Sequence, residues 1–198
     1  MIPNRILVES ASGSTEHELC SVLAADGNLM LDGDITTETV MRFIPLLQYM
    51  AKEQKDVTIY LNSRGGEIEA GLSLYDAIQA YPYTINIICV ELAASMAALL
   101  LASAPKGHRF ILPHSKVLIH EPLISKGFGG SATNIEKTAQ RILDVKTQMN
   151  TLFAKHTGKT IDEINEATAY DHLMTAEEAI SFGICDAIGS VYEGGYSI

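Results

Sequence analysis

The period of apolar and polar positions changes repeatedly along the chain, and each change marks an element. Asp56-Val57-Thr58-Ile59-Tyr60-Leu61-Asn62 alternates strictly, which predicts a strand, and the β-branched run over 84–90 predicts a second, buried one. Val40, Phe43, Ile44, Leu47 and Met50 recur at helical spacing behind Thr36 or Thr37 as cap, with Pro45 expected to kink that helix. A further amphipathic helix is predicted over 68–80. Ile135, Ala139, Ile142, Met149, Leu152 and Phe153 define a long helix over 131–155. It is longer than a small core needs, so it is expected to pack against another subunit.

Shorter signals fill in the rest. Strands are predicted at 5–9, 28–33 (ending in a turn), 110–112, 116–119 and 184–191. Thr15 and Glu18 read as a capping box for a helix to about residue 25, and Thr175 and Glu178 as another for a helix closed by Gly183. A helix spans 161–169, and 10–14 reads as a small polar loop. The recurring strand–strand–helix rhythm predicts one α/β domain over 1–198, with an N-terminal segment and first helix at 1–27.

Composition narrows the function classes. The chain has 198 residues, 47% of them hydrophobic and 19% charged, enough for a sizeable core. A formal net charge of −10 argues against nucleic acid as partner, because phosphate binding needs clustered Lys and Arg. No apolar run is long enough for a bilayer, and no basic segment precedes an apolar one at the N-terminus, so a cytoplasmic protein is expected. Cys20, Cys89 and Cys185 are few, odd in number and set among apolar residues, which predicts buried free thiols in a reducing compartment. No Cys/His pair has ligand spacing, so no metal is expected. The glycine-rich stretch 125–130 lacks the Gly-Lys-Ser/Thr of a phosphate loop, so no nucleotide site is expected either.

The chemistry centres on Ser95, placed between the strand over 84–90 and the Ala- and Leu-rich run after it. A serine at such a turn points its oxygen outward above free N–H groups of the helix start. Ala93 and Ala97 stand where the usual elbow has glycine, so a serine that merely caps or packs is the alternative. Gly65-Gly66, between a strand and a helix, either turn N–H groups toward a bound oxygen or form a tight connection. Of six histidines, His120 is the best placed base, at a strand end. His17 reads as solvated, His108 and His114 as turn residues, and His156 as a cation favoured by a helix C-terminus. Among carboxylates, spacing does not choose between Asp171, Asp162 and Asp186.

Several runs taken together resemble the proteolytic subunit of the Clp protease, the ClpP family of serine peptidases. They are Tyr60-Leu61-Asn62-Ser63-Arg64-Gly65-Gly66, Ala93-Ala94-Ser95-Met96, Leu118-Ile119-His120-Glu121-Pro122-Leu123 and Gly130-Ser131-Ala132-Thr133-Asn134-Ile135-Glu136. His156-Thr157-Gly158 and Met174-Thr175-Ala176-Glu177-Glu178-Ala179 complete the set. The resemblance covers about 28–188, and Met1-Ile2-Pro3 is similar to a mature family N-terminus without a propeptide. It implies a crotonase-like spiral of strand–strand–helix units with a protruding handle at 125–157. It implies Ser95 as nucleophile, His120 as base, Asp171 as orienting acid, and the N–H groups of Gly66 and Met96 as oxyanion donors. Ile68 and Leu123 would flank an extended substrate, and Tyr60, Phe110 and Leu112 would dock the ATPase. The implied assembly is a heptameric ring of identical or mixed subunits, stacked into a tetradecamer. A hexameric AAA+ unfoldase feeds it polypeptide and is the component that uses ATP, so no cofactor is expected on this chain.

Some positions depart from the family pattern. Arg64 stands for proline, Glu91-Leu92 for Gly-Gln, Ala97 for glycine, and Thr58 and Ala80 for larger aromatics. Glu121 stands for glutamine, which places a negative charge beside His120, and Ala169-Tyr170 stands for the Asp-Arg pair that reports ring contact. These departures suggest a divergent or second copy of the subunit. The alternatives are a weakly active structural subunit of a mixed ring and a crotonase-type acyl-CoA enzyme.

Overall fold

The computed structural model describes residues 4–10, 13–123 and 129–190. Strand β1 (Arg5–Ser10) pairs antiparallel with β2 (Gly13–Glu18), and α1 (Leu19–Ala25) follows directly. Thr15 therefore does not open a helix. It pairs with Val8 in the hairpin, its hydroxyl meets His17 Nε2 at 2.8 Å, and α1 starts at Leu19 without a side-chain cap. Pairing with β1 satisfies the backbone of 13–18 and outweighs the local capping pattern. Of the expected 10–14 loop, Ser10, Gly13 and Ser14 lie in these strands, and 11–12 fall outside the described residues.

From β3 (Asn28–Asp32) onward the chain alternates strand and helix through α2 (Thr37–Lys52), β4 (Val57–Ser63), α3 (Ile68–Gln79), β5 (Ile85–Ala94) and α4 (Met96–Ser103). Strands β6 (Arg109–Ile111) and β7 (Lys116–Ile119) follow, then α5 (Ala132–Thr157), α6 (Ile161–Thr168), β8 (His172–Met174), α7 (Ala176–Phe182) and β9 (Ala187–Ile188). Up to α4 the unit is one strand per helix, and β6–β7 is the first directly successive pair after the N-terminal hairpin. The expected last strand is only Ala187–Ile188 within the described residues, and β8 is a strand that the sequence pattern does not predict. The architecture is α/β with a mixed sheet.

The sheet runs β3-β4-β5-β6-β9, all parallel. The ten-residue β5 serves two neighbours in turn. Ile87 to Cys89 pair with β6, and Leu92 to Ala94 pair with β7. Strand β8 then adds antiparallel to β7, with Ile119 opposite His172. Alternation along β4 buries Val57, Ile59, Leu61 and Ser63 and leaves Thr58, Tyr60 and Asn62 partly open on the other face. Beneath the buried face α4 is buried along its whole length, so apolar burial of about 1.5–3 kcal/mol per large side chain fixes its start. Pro45 stays inside α2 at an exposed position, although it cannot donate to the carbonyl four residues before it.

Helix α5 is capped by Ser131, whose hydroxyl accepts from the Asn134 N–H, and closed by Gly158 in the left-handed region. Only Met149, Asn150 and Phe153 are buried along its 26 residues, while Ile135 and Leu143 are exposed. Of the cysteines, Cys89 and Cys185 are buried and free, but Cys20 is exposed on the short α1. Burial pushes the Cys89 thiol up to about 12, so it stays protonated and inert. Among the described residues no helix is long and apolar enough to cross a membrane.

Candidate active site

Ser95 joins β5 to α4 with φ +56° and ψ −120°, a region that a residue with a Cβ rarely occupies. Two restraints enforce it. The buried α4 fixes the following turn, and the Ser95 N–H donates to the Leu118 carbonyl at 2.8 Å, locking the residue to β7. The side chain does not cap α4, which removes the capping alternative. At N1 of α4, Met96 presents an N–H that no intrahelical carbonyl can reach.

Gly65 and Gly66 lie against this turn. A Cβ on Gly65 would come within 2.8 Å of Ser95 Cβ, and one on Gly66 within 2.1 Å of the Ile35 oxygen. Their φ values of +91° and +154° suit glycine alone. Ile35 holds the segment from both sides, donating to Gly65 O at 2.8 Å and accepting from the Glu67 N–H at 2.8 Å. The Gly66 N–H between these bonds has no acceptor among the described residues.

A cavity of about 520 Å³ opens above these groups. It is lined by Ser95, Gly66, His120, Ile68, Leu123 and Pro122, together with Asp34, Glu67 and Glu69. A second cavity of about 500 Å³ is lined by His120, Glu121, Leu123, Thr168 and Asp171. His120 and Leu123 line both the Ser95 cavity and the Asp171 cavity. The register explains the place of His120: Ile119 lies opposite His172, which brings the next pair, His120 and Asp171, to the same strand ends. Among the described residues no hydrogen bond joins Ser95, His120 and Asp171, and His120 Nδ1 is buried without a partner.

The surroundings of the base are tied to α5 and α6. The Glu121 N–H donates to Thr168 O at 2.8 Å, and Glu121 Oε2 accepts from Lys146 Nζ at 2.5 Å. Asn150, one turn beyond Lys146, donates to Asn165 Oδ1 at 2.7 Å and to Thr168 Oγ1 at 3.4 Å. The Glu121 charge is therefore held by a lysine rather than standing open beside His120. The Glu91 carboxylate accepts from the Asn62 amide at 3.1 Å.

The other candidates resolve differently. Asp186 is no ordinary surface carboxylate: its oxygens take the Arg109 guanidinium and the N–H groups of Gly107 and Arg109. Burial pushes its carboxyl up, but the Arg109 side chain and those N–H groups pull it further down, below the usual range. Arg109, only 4% exposed, also donates to His156 O and Gly183 O, which binds β6 to the ends of α5 and α7. His156 is not a helix-end cation. Burial first, then Lys155 and Arg109, lower it to about 4, and its Nε2 meets Tyr75 Oη at 2.8 Å. Tyr60, Ile88 and Phe110 are in register across β4, β5 and β6, with the Leu112 N–H bonded to Cys89 O just beyond. No group of three or more His, Cys, Asp or Glu side chains among the described residues could hold a metal ion.

Sequence reasoning missed Lys146, Asn150, Arg109 and the acidic lining of Asp34, Glu67 and Glu69. Asn150 had a visible signal, a polar residue among Met149, Leu152 and Phe153. The glycine-rich stretch at 125–128 falls outside the described residues.

A strained serine over unpartnered amides, sharing a cavity with a histidine, offers the parts that nucleophilic acyl transfer requires. Residues 11–191 match the Clp protease family, and the chain belongs to that family. Its class is accordingly that of the serine peptidases.

Proposed function

We propose that the chain is a serine endopeptidase subunit that cuts unfolded polypeptides through an acyl-enzyme, using Ser95, His120 and Asp171. The supporting observation is Ser95 held at φ +56° on the wall of one cavity with His120 and Gly66. In the first step His120 takes the Ser95 hydroxyl proton as Oγ attacks the scissile carbonyl. The N–H groups of Gly66 and Met96 receive the oxyanion, and Asp171 orients the imidazole by accepting from Nδ1. The tetrahedral adduct collapses as His120 returns the proton to the leaving amine. Water then repeats the sequence on the ester and frees Ser95. Ile68 and Leu123, which both line the cavity, guide an extended substrate.

The assembly follows the family: heptameric rings, stacked through the exposed part of α5 as a handle, on a crotonase-like spiral, fed by a hexameric AAA+ unfoldase. That partner docks at Tyr60, Phe110 and Leu112. Any ATP is used by that partner. The unpartnered His120 Nδ1 favours a second reading, a structural subunit of a mixed ring. Digestion of a reduced, alkylated polypeptide separates the two. The endopeptidase produces short peptides that Ser95→Ala does not, whereas equal digestion by both proteins, or none by either, rejects it.

A further inference from the structure

Two carboxylates, Glu121 and Asp171, line the cavity behind His120, and among the described residues they are the only ones there. Either could accept a hydrogen bond from a histidine whose Nδ1 is buried and unpartnered. Among the described residues only Glu121 meets a counter-charge. Lys146 Nζ, on the fourth turn from the C-terminal end of α5, lies 2.5 Å from Glu121 Oε2. Both side chains are partly shielded, Lys146 at 29% exposure and Glu121 at 42%, so water screens the pair less than a surface bridge. Glu121 is also pinned through its backbone, by the bond from its N–H to Thr168 O. Its backbone is therefore fixed next to the base, and the side chain starts from that point. Its charge must be met where it stands.

We propose, on the basis of the triad reading above, that Lys146 is a positioning residue: it holds the Glu121 carboxylate so that Asp171 alone engages His120 Nδ1. Without Lys146, Glu121 becomes a second acceptor beside the ring. An imidazole drawn to it turns away from Ser95, and misplacement of a base by about an ångström costs on the order of a hundredfold in rate. Glutamine at 121 carries no charge and attracts the ring far less, so it needs no lysine. The role of Lys146 is thus conditional on the residue at 121, which a purely packing role would not be.

The test compares Lys146→Met in two backgrounds, the native chain and Glu121→Gln, using a fluorogenic peptide substrate and thermal melts on the assembled protein. In the native background kcat falls by about ten- to a hundredfold while KM changes by less than about twofold. In the Glu121→Gln background the same substitution changes kcat by less than about twofold. Lys146→Arg keeps the charge and keeps the rate. An equal loss in both backgrounds, or a loss that tracks the melting temperature, overturns the proposal, as does an unchanged rate in the native background. If Lys146→Met does not fold, Lys146→Gln is read by the same criteria. A native protein with no activity dependent on Ser95 rejects the triad reading instead, so the two failures are distinct.

Discussion

The two sides of the Ser95 cavity are built by different means. On the nucleophile side, β5 and α4 are clad in apolar residues, and the strained φ of Ser95 is held by the whole core beneath it. Gly65 and Gly66 fit that side so closely that neither tolerates a Cβ. On the base side, His120 and Asp171 stand at the ends of β7 and β8, strands of four and three residues. Polar links do the holding there: Glu121 to Lys146 and Thr168, and Asn150 to Asn165 and Thr168. Further out, Arg109 and Asp186 tie β6 to the ends of α5 and α7. A core enforces one geometry and loses stability when disturbed. A polar framework permits small displacements and loses alignment first.

Breaking the nucleophile side should give the largest effect. Gly66→Ala drives a methyl group to 2.1 Å from the Ile35 oxygen, at a backbone angle that alanine rarely adopts. The expected cost is about 3 kcal/mol or more of stability, with the oxyanion amide displaced as the segment shifts. Chemical denaturation and peptide hydrolysis check it together. Native-like stability with full activity would mean that Gly66 is an ordinary connecting turn.

A smaller effect sharpens the polar side. His156 is held near 4, below its ordinary 6.5, because burial, then Lys155 and Arg109, disfavour the charged ring. The unfolded chain therefore takes up this proton before the native one does. The resulting stability is complete above about pH 6.5, declines as pH falls toward about 4, and is flat below. Since the ring is only half-buried, solvent screening reduces the contribution to about 1–2 kcal/mol. Urea midpoints between pH 7 and pH 4 should fall less steeply in His156→Gln than in the native protein. Parallel curves would show that other groups dominate the acid side.

This contrast also explains what could be read from the sequence. Apolar periodicity exposed β4, β5, α2, α3 and most of α5, because burial against a core repeats along the chain. The Thr175 box and Gly183 were legible because caps are local in sequence, and the structure contains both. Thr15 failed for the opposite reason: its partner Val8 lies across a hairpin. Strand β8 is three residues long and exists only through pairing with β7, so no periodicity announces it. Ser95 and Gly66 stood out by residue type between a strand and a helix. The links from Lys146 to Glu121 and from Arg109 to Asp186 span 25 and 77 residues, and nothing local points to them.

The most direct test is the rate at which a fluorophosphonate labels the purified protein, read site by site by mass spectrometry. The account predicts a single labelled residue, Ser95, with labelling slowed by about 10³-fold or more in His120→Ala and strongly slowed in Asp171→Asn, both variants remaining assembled. Labelling of Ser95 at an undiminished rate in either variant, or an assembled native protein that is not labelled at all, would contradict it.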